Sequence, residues 1–218
     1  AHHRPQHPSC QVHSHDFIEI VLVAGGSGVQ QTPAGDLALS RGDVIMLRPG
    51  GWHGYVDCEG LEIYNVVFGS GLLQRELSWA LEDPALSLLL VSGPLAADAR
   101  GVLHLHLDEV CTRVCQGHVD ELCEACLRDE SLAASGGLLA RRLGLLLVVL
   151  GDVLDGAGIR SGAVLRPGGL HPAVARGMRL LESDLARNWV LAELCAAVGL
   201  ERSYLIRQFR QGTGLPPM

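Results

Sequence analysis

The sequence predicts an α+β fold, with a small β-barrel first, a helical hairpin after it and a helix-turn-helix bundle at the C-terminal end. Three observations carry this. Residues 16–68 alternate short β-branched runs with Gly and Pro turns, as an all-β unit does. Past Pro94 the apolar residues take up helical spacing. Residues 156–169, "GAGIRSGAVLRPGG", are rich in Gly and lack any period, which marks a linker between two modules. The expected divisions are 1–94 for the barrel, 95–155 for the hairpin, 156–169 for the linker and 170–218 for the last bundle.

Each element has its own justification. The opening "AHHRPQHPSCQ" is polar, so His2, His3 and His7 read as a solvated terminus, and the stretch has no apolar segment of a signal peptide. "DFIEIVLV" is a strand stopped by "AGGSG", and "DLALSRGDVIMLRPGGWHGYV" and "LEIYNVVF" supply further strands. In "HLDEVCTRVCQGHVDELCEACLRDE", Leu107, Val110, Val114 and Leu122 fall near helical spacing. Cys111, Cys115, Cys123 and Cys126 lie on that helix with His118 between them. One helix does not wrap a metal alone, and free Cys is among the most buried residue types, so they read as small core hydrophobes.

The next helix, "GGLLARRLGLLLVVLGDVLD", is apolar nearly all round. That predicts burial inside the domain or against a second subunit, and hence a homodimer held through the hairpin. Its longest apolar run, residues 143–150, is far short of the about 20 residues that cross a bilayer. With seven unevenly spaced Cys, these features predict a cytoplasmic protein with reduced thiols and no membrane partner.

After the linker, Pro172 opens a helix whose stripe is Val174, Met178, Leu181 and Leu185. "VLAELCAAVG" is a short helix ended by Gly199, and "RSYLIRQFRQGTG" is another. Two short helices joined by a Gly-containing turn read as a helix-turn-helix.

Charge separates the two ends. Net charge is −7 and every one of the 17 basic residues is Arg. Residues 1–165 hold 10 Arg against 20 acids, whereas residues 166–218 hold 7 Arg against 4. The balance argues against a chain that coats nucleic acid along its length, and it leaves a basic end suited to DNA.

The order Leu191, Glu193, Leu194, Gly199, Ser203, Leu205, Arg207, Phe209, Arg210, Thr213 and Gly214 resembles the first helix-turn-helix of AraC/XylS-type transcription regulators. The resemblance implies that Leu194, Val198, Leu205 and Phe209 bury between the helices. Arg202, Ser203, Ile206, Arg207 and Arg210 would then meet double-stranded DNA, Arg reaching guanine edges or phosphate. Glu201 stands where the family has a capping Ser. The family also continues into a second helix-turn-helix that this chain does not reach.

The N-terminal module resembles a cupin. His13, His15, Glu19 and Gly26 match its first motif; Gly42, Pro49, Gly50 and His53 match its second, with Arg48 in place of a proline and Asp57 where many members carry Asn. Such a barrel often serves AraC-type regulators as the effector domain. Along one strand His13, His15, Phe17 and Glu19 share parity and face the interior, where His53 can join them. Three imidazoles and a carboxylate suit Zn, Ni or Fe. The same four can instead floor an organic-effector pocket, lined by Phe17, Trp52 and Tyr55, or satisfy one another. The expected function is a ligand-responsive transcription regulator taking a sugar-like molecule or a metal. A metal-dependent cupin enzyme, a dioxygenase or isomerase, is the alternative.

Overall fold

The computed structural model of the chain describes residues 1–95, 101–127, 136–159, 171–183, 187–213 and 216–217. Seven strands form one antiparallel sheet: β1 (His2–Arg4), β2 (Cys10–His13), β3 (Phe17–Thr32), β4 (Gly35–Leu39), β5 (Asp43–Leu47), β6 (His53–Gly69) and β7 (Val102–His106). The main path runs β1-β6-β3-β5-β7, with β2 paired to β6 and β4 to β3. The long strands β3 and β6 pair along nearly their whole length, through register shifts at residues 23–29 of β3. There the sheet rolls, as bulges make it do. The "AGGSG" run, expected to end a strand, instead carries β3 around that bend.

Strand alternation sets two cores. One face of the sheet turns Val21, Val23, Ile45, Leu47, Leu61 and Ile63 into the rolled interior. The other turns Ile18, Ile20, Leu22, Val44, Met46 and Val66 toward the helices. Both faces are buried, so residues 18–24 are apolar almost without break, Glu19 being the exception.

The helices are α1 (Ser70–Arg75), α2 (Pro84–Ser87), α3 (Glu109–Leu127), α4 (Gly136–Gly156), α5 (Pro172–Ser183), α6 (Leu191–Val198) and α7 (Arg202–Thr213). Asp83 caps α2, accepting from the Ala85 and Leu86 amides, with Pro84 in the first turn. Asp108 caps α3 by accepting from the Cys111 amide. On α4, Leu146, Val149, Leu150, Val153 and Leu154 bury against α3 and the sheet within the same chain. That apolar stripe is therefore core of the protomer and is not available to a second subunit. Gly199 ends α6 in the left-handed conformation (φ 72°). Val174, Leu194, Val198, Leu205 and Phe209 then form a separate small core among α5, α6 and α7.

Three expectations change. The opening residues are strands: His3 stacks on Tyr64 at 4.3 Å and pairs with Glu62 at 2.7 Å, which ties β1 to β6. Residues 70–92, placed in the barrel, are short helical turns. β7 falls past the expected boundary at residue 94 yet completes the sheet against β5, where His104 and His106 both donate to the Asp43 carboxylate, at 3.0 and 2.9 Å. The linker lies outside the described residues from 160 to 169, and so does Gly214.

Candidate functional site

Glu19 is a charged residue that β3 turns into the rolled interior. It has the parity of Val21 and Val23, so its carboxylate enters the space those side chains line. His53 enters from the start of β6 and is 1% exposed. His15 arrives from the turn between β2 and β3. The three converge: Glu19 Oε2 is 2.9 Å from His15 Nε2 and 3.4 Å from His53 Nε2. One ligand atom from each lies within 4.8 Å of the others.

The hydrogen bonds fix what can sit between them. His15 Nδ1 lies 2.9 Å from the Phe17 carbonyl, which only accepts, so that nitrogen carries a proton. His15 Nε2 then faces Glu19 with either a second proton or a lone pair. A lone pair against an ionised carboxylate is repulsive, so the contact demands a shared proton or a cation. Burial pushes the Glu19 carboxyl above its usual range, against the pull of His15. Burial, helped by the charges of His13 and His15, lowers the His53 imidazole to about 4. His53 Nδ1 lies near the Gly51 backbone without an aligned hydrogen bond.

The other candidates divide. His13 does not join the trio. Chain pairing ends β2 at His13, opposite His53, and β3 begins only at Phe17, so the parity expected along one strand is broken. His13 is exposed, bonds the Gln11 carbonyl at 3.0 Å and lays its ring over His53 at 4.4 Å. Phe17 stacks flat on His15, centroids 4.0 Å apart. Tyr55 is buried and meets the His53 ring edge-on at 5.8 Å. Trp52 is 40% exposed and makes no described ring contact with the trio.

Two residues beside the trio carried no signal in the sequence. Gln30, fully buried, donates to the Tyr55 hydroxyl at 3.1 Å, while its Oε1 has no partner. His7 packs on Tyr55 at 4.6 Å. Only the pairing of Gln30 with Tyr55 across β3 and β6 brings this polar group into view. A cleft of about 570 Å³, lined by Trp79, Leu86, Leu147, Leu154 and Ile159 among others, shares no residue with the trio.

At the other end, Arg202, Ser203, Arg207 and Arg210 are exposed on α7 and Ile206 is half-buried. Leu205 and Phe209 turn inward to the small core. The Arg207 guanidinium lies over the Tyr204 ring at 5.0 Å. The helical cysteines hold no metal cluster among the described residues, and all seven thiols are free. Burial pushes Cys115 up to about 12, which leaves it inert at neutral pH.

Comparison with known proteins adds three findings. The family model described as the AraC-like ligand binding domain matches residues 1–123, more than half of the chain. The transcriptional activator RhaR of an Enterobacter species is 24% identical over 204 residues, and that of Klebsiella pneumoniae 27% over 209. Each match covers 93% of this chain and 66% of the relative, so the chain spans about two thirds of their length. Among solved structures, Vibrio cholerae ToxT bound to an unsaturated fatty acid is 13% identical over 97% of this chain and 76% of that one, with a TM-score of 0.49. No described helix is long and apolar enough to cross a membrane. With its rolled sheet and inward polar trio inside the matched region, the chain belongs to the AraC-like ligand-binding-domain family.

Proposed function

We propose that this chain is the effector-binding part and first DNA-reading helices of a cytoplasmic, homodimeric transcription regulator of AraC type. The effector docks on the floor formed by His15, Glu19 and His53, with Phe17 and Tyr55 as its apolar walls. The observation that carries this is the convergence of two imidazoles, His15 and His53, on one oxygen of the buried Glu19 carboxylate inside the family's ligand-binding domain. Such groups are costly to bury without a partner. A hydroxyl-rich, sugar-like molecule would satisfy them by hydrogen bonding.

A second reading has its own support. Two imidazoles and a carboxylate within 4.8 Å form a donor set suited to Zn, Ni or Fe, so the effector can be a metal. His15 Nδ1 on the Phe17 carbonyl would hold the ring oriented for it, as second-shell bonds do. Calorimetric titration of chelator-treated protein separates the two. A metal effector gives about one Zn or Ni per chain, abolished by His15→Ala. An organic effector gives no metal uptake, and His15→Ala lowers sugar affinity instead. If neither ligand class binds, this pocket is not the effector site.

The DNA face is α7. Arg202, Ser203, Ile206, Arg207 and Arg210 occupy its outer side, next to a buried Leu205–Phe209 anchor. Arg207→Ala is expected to weaken operator binding about tenfold if it reads a base edge. Fluorescence anisotropy at fixed salt checks it, and an unchanged affinity would remove Arg207 from the interface.

A further inference from the structure

Away from the trio, a second buried carboxylate gathers two imidazoles. β7 is the last strand on its side of the sheet, paired to β5 and to no other described strand. His104 and His106 lie two residues apart on it, so both rings stand on one face. Asp43, 3% exposed, opposes His106 from the start of β5. His104 Nε2 and His106 Nδ1 flank a single oxygen, Asp43 Oδ1, at 3.0 and 2.9 Å. The rings themselves stay open to solvent, at 35% and 59% exposure.

The other half of the carboxylate is fixed. Oδ2 accepts from the Ser40 amide at 2.7 Å and from the Ser40 hydroxyl at 3.1 Å, so the group is held in one orientation. Burial pushes the Asp43 carboxyl up, but the bonds from His106, Ser40 and His104 outweigh it and hold the carboxyl below its ordinary range. Asp43 is therefore an anion at neutral pH, and no Arg pairs with it among the described residues. His106 is placed as closely: a Cβ on Gly42 would sit 3.2 Å from its Cε1. One imidazole would be enough to tie β7 to β5. Two, spaced His-x-His and aimed at one buried anion, make a donor set.

We propose that Asp43, His104 and His106 form a metal site of their own, separate from His15, Glu19 and His53, for a dication that favours imidazole, Zn(II) or Ni(II). The ion enters from solvent and takes the place of the two protons shared with Oδ1. Each neutral ring regains a proton from water on its far nitrogen, Nδ1 of His104 and Nε2 of His106, so no net proton is released. Two donors about 2.1 Å from one ion lie about 3 Å apart when their bonds meet near a right angle, and the oxygen–nitrogen spacings here match that. The exposed rings swing inward to close the set. Ser40 orients the carboxylate, as outer hydrogen bonds orient metal ligands generally. Bound there, the ion ties β5 to β7 just ahead of α3, whose capping residue is Asp108.

The test starts from the whole 218-residue chain carrying His15→Ala, which removes one ligand of the trio. After chelator treatment, calorimetric titration with Zn(II) and with Ni(II) is expected to show about one ion per chain. His104→Ala or His106→Ala, added to that variant, should each weaken uptake at least tenfold, and Ser40→Ala about tenfold through the lost orientation of Asp43. Mg(II), which takes oxygen donors, should not bind. Zn(II) should raise the Tm of the His15→Ala chain and leave that of the two histidine double variants unmoved. Both imidazoles are exposed, so circular dichroism should show unchanged folding. No uptake by the His15→Ala chain overturns this site, whatever the trio binds. Uptake that survives both added substitutions overturns it as well, because the ion then sits elsewhere. An ion kept by His15→Ala and lost with His104→Ala upholds it, whichever effector the trio takes.

Discussion

Gly26→Ala is expected to destabilise the sheet by about 3–5 kcal/mol, a large fraction of the about 5–15 kcal/mol that holds an ordinary domain folded. A Cβ at Gly26 would sit 2.1 Å from the Gly60 carbonyl oxygen and 2.6 Å from the Leu61 nitrogen. Both are backbone atoms of β6, so no rotamer can relieve the clash. The residue also holds φ +70°, which costs an L side chain about 1–3 kcal/mol by itself. Overpacking adds about 1–3 kcal/mol more. Gly35→Ala is the control: φ is +123° there, but nothing lies within 4 Å of the new Cβ, so only the strain should register. Urea denaturation of the two variants should rank Gly26 well above Gly35. Equal midpoints would show that the β3–β6 crossing yields more easily than its geometry says.

That glycine also shows where the sequence is legible. It was visible as the last residue of a cupin-like motif, while its reason is the close pass of β3 over β6, fixed by residues 34 positions away. Local signals served well over short stretches. The apolar strand at 43–47 and the helix stop at Gly199 follow from the residues themselves. They failed where partners lie far along the chain. The His-rich opening looks like a solvated tail until Tyr64 and Glu62 are brought beside His3. "VLHLH" looks like the edge of a helix until Asp43, 61 and 63 residues earlier, accepts from both of its imidazoles. The site was half legible for the same reason. Parity placed Glu19 correctly because β3 is continuous from Phe17. It misplaced His13, because a turn interrupts the chain between residues 13 and 17 and hands that histidine to β2.

The trio should leave its mark on stability as pH falls, and the sign follows from His53. Its imidazole is lowered to about 4, against an ordinary value of 6.5. Between those values the unfolded chain binds a proton that the folded chain refuses. Stability from this group is therefore full above about pH 6.5 and is lost as pH falls toward 4. The window of about 2.5 units sets a ceiling of about 3 kcal/mol. Glu19 acts in the opposite direction. Burial raises its carboxyl, so the folded state holds that proton longer than the unfolded one, and its contribution favours folding on the acid side. The net acid loss should thus fall short of the ceiling. In chelator-treated protein, urea midpoints at pH 7, 6, 5 and 4.5 should decline for the wild type and decline less for His53→Asn. The comparison is of slopes, so a constant penalty from the substitution does not disturb it. Parallel curves would mean that His53 is not held neutral by its burial. A smaller slope in the variant would identify the imidazole that must stay unprotonated for the floor of the pocket to accept either a metal or a hydrogen-bonding effector near neutral pH.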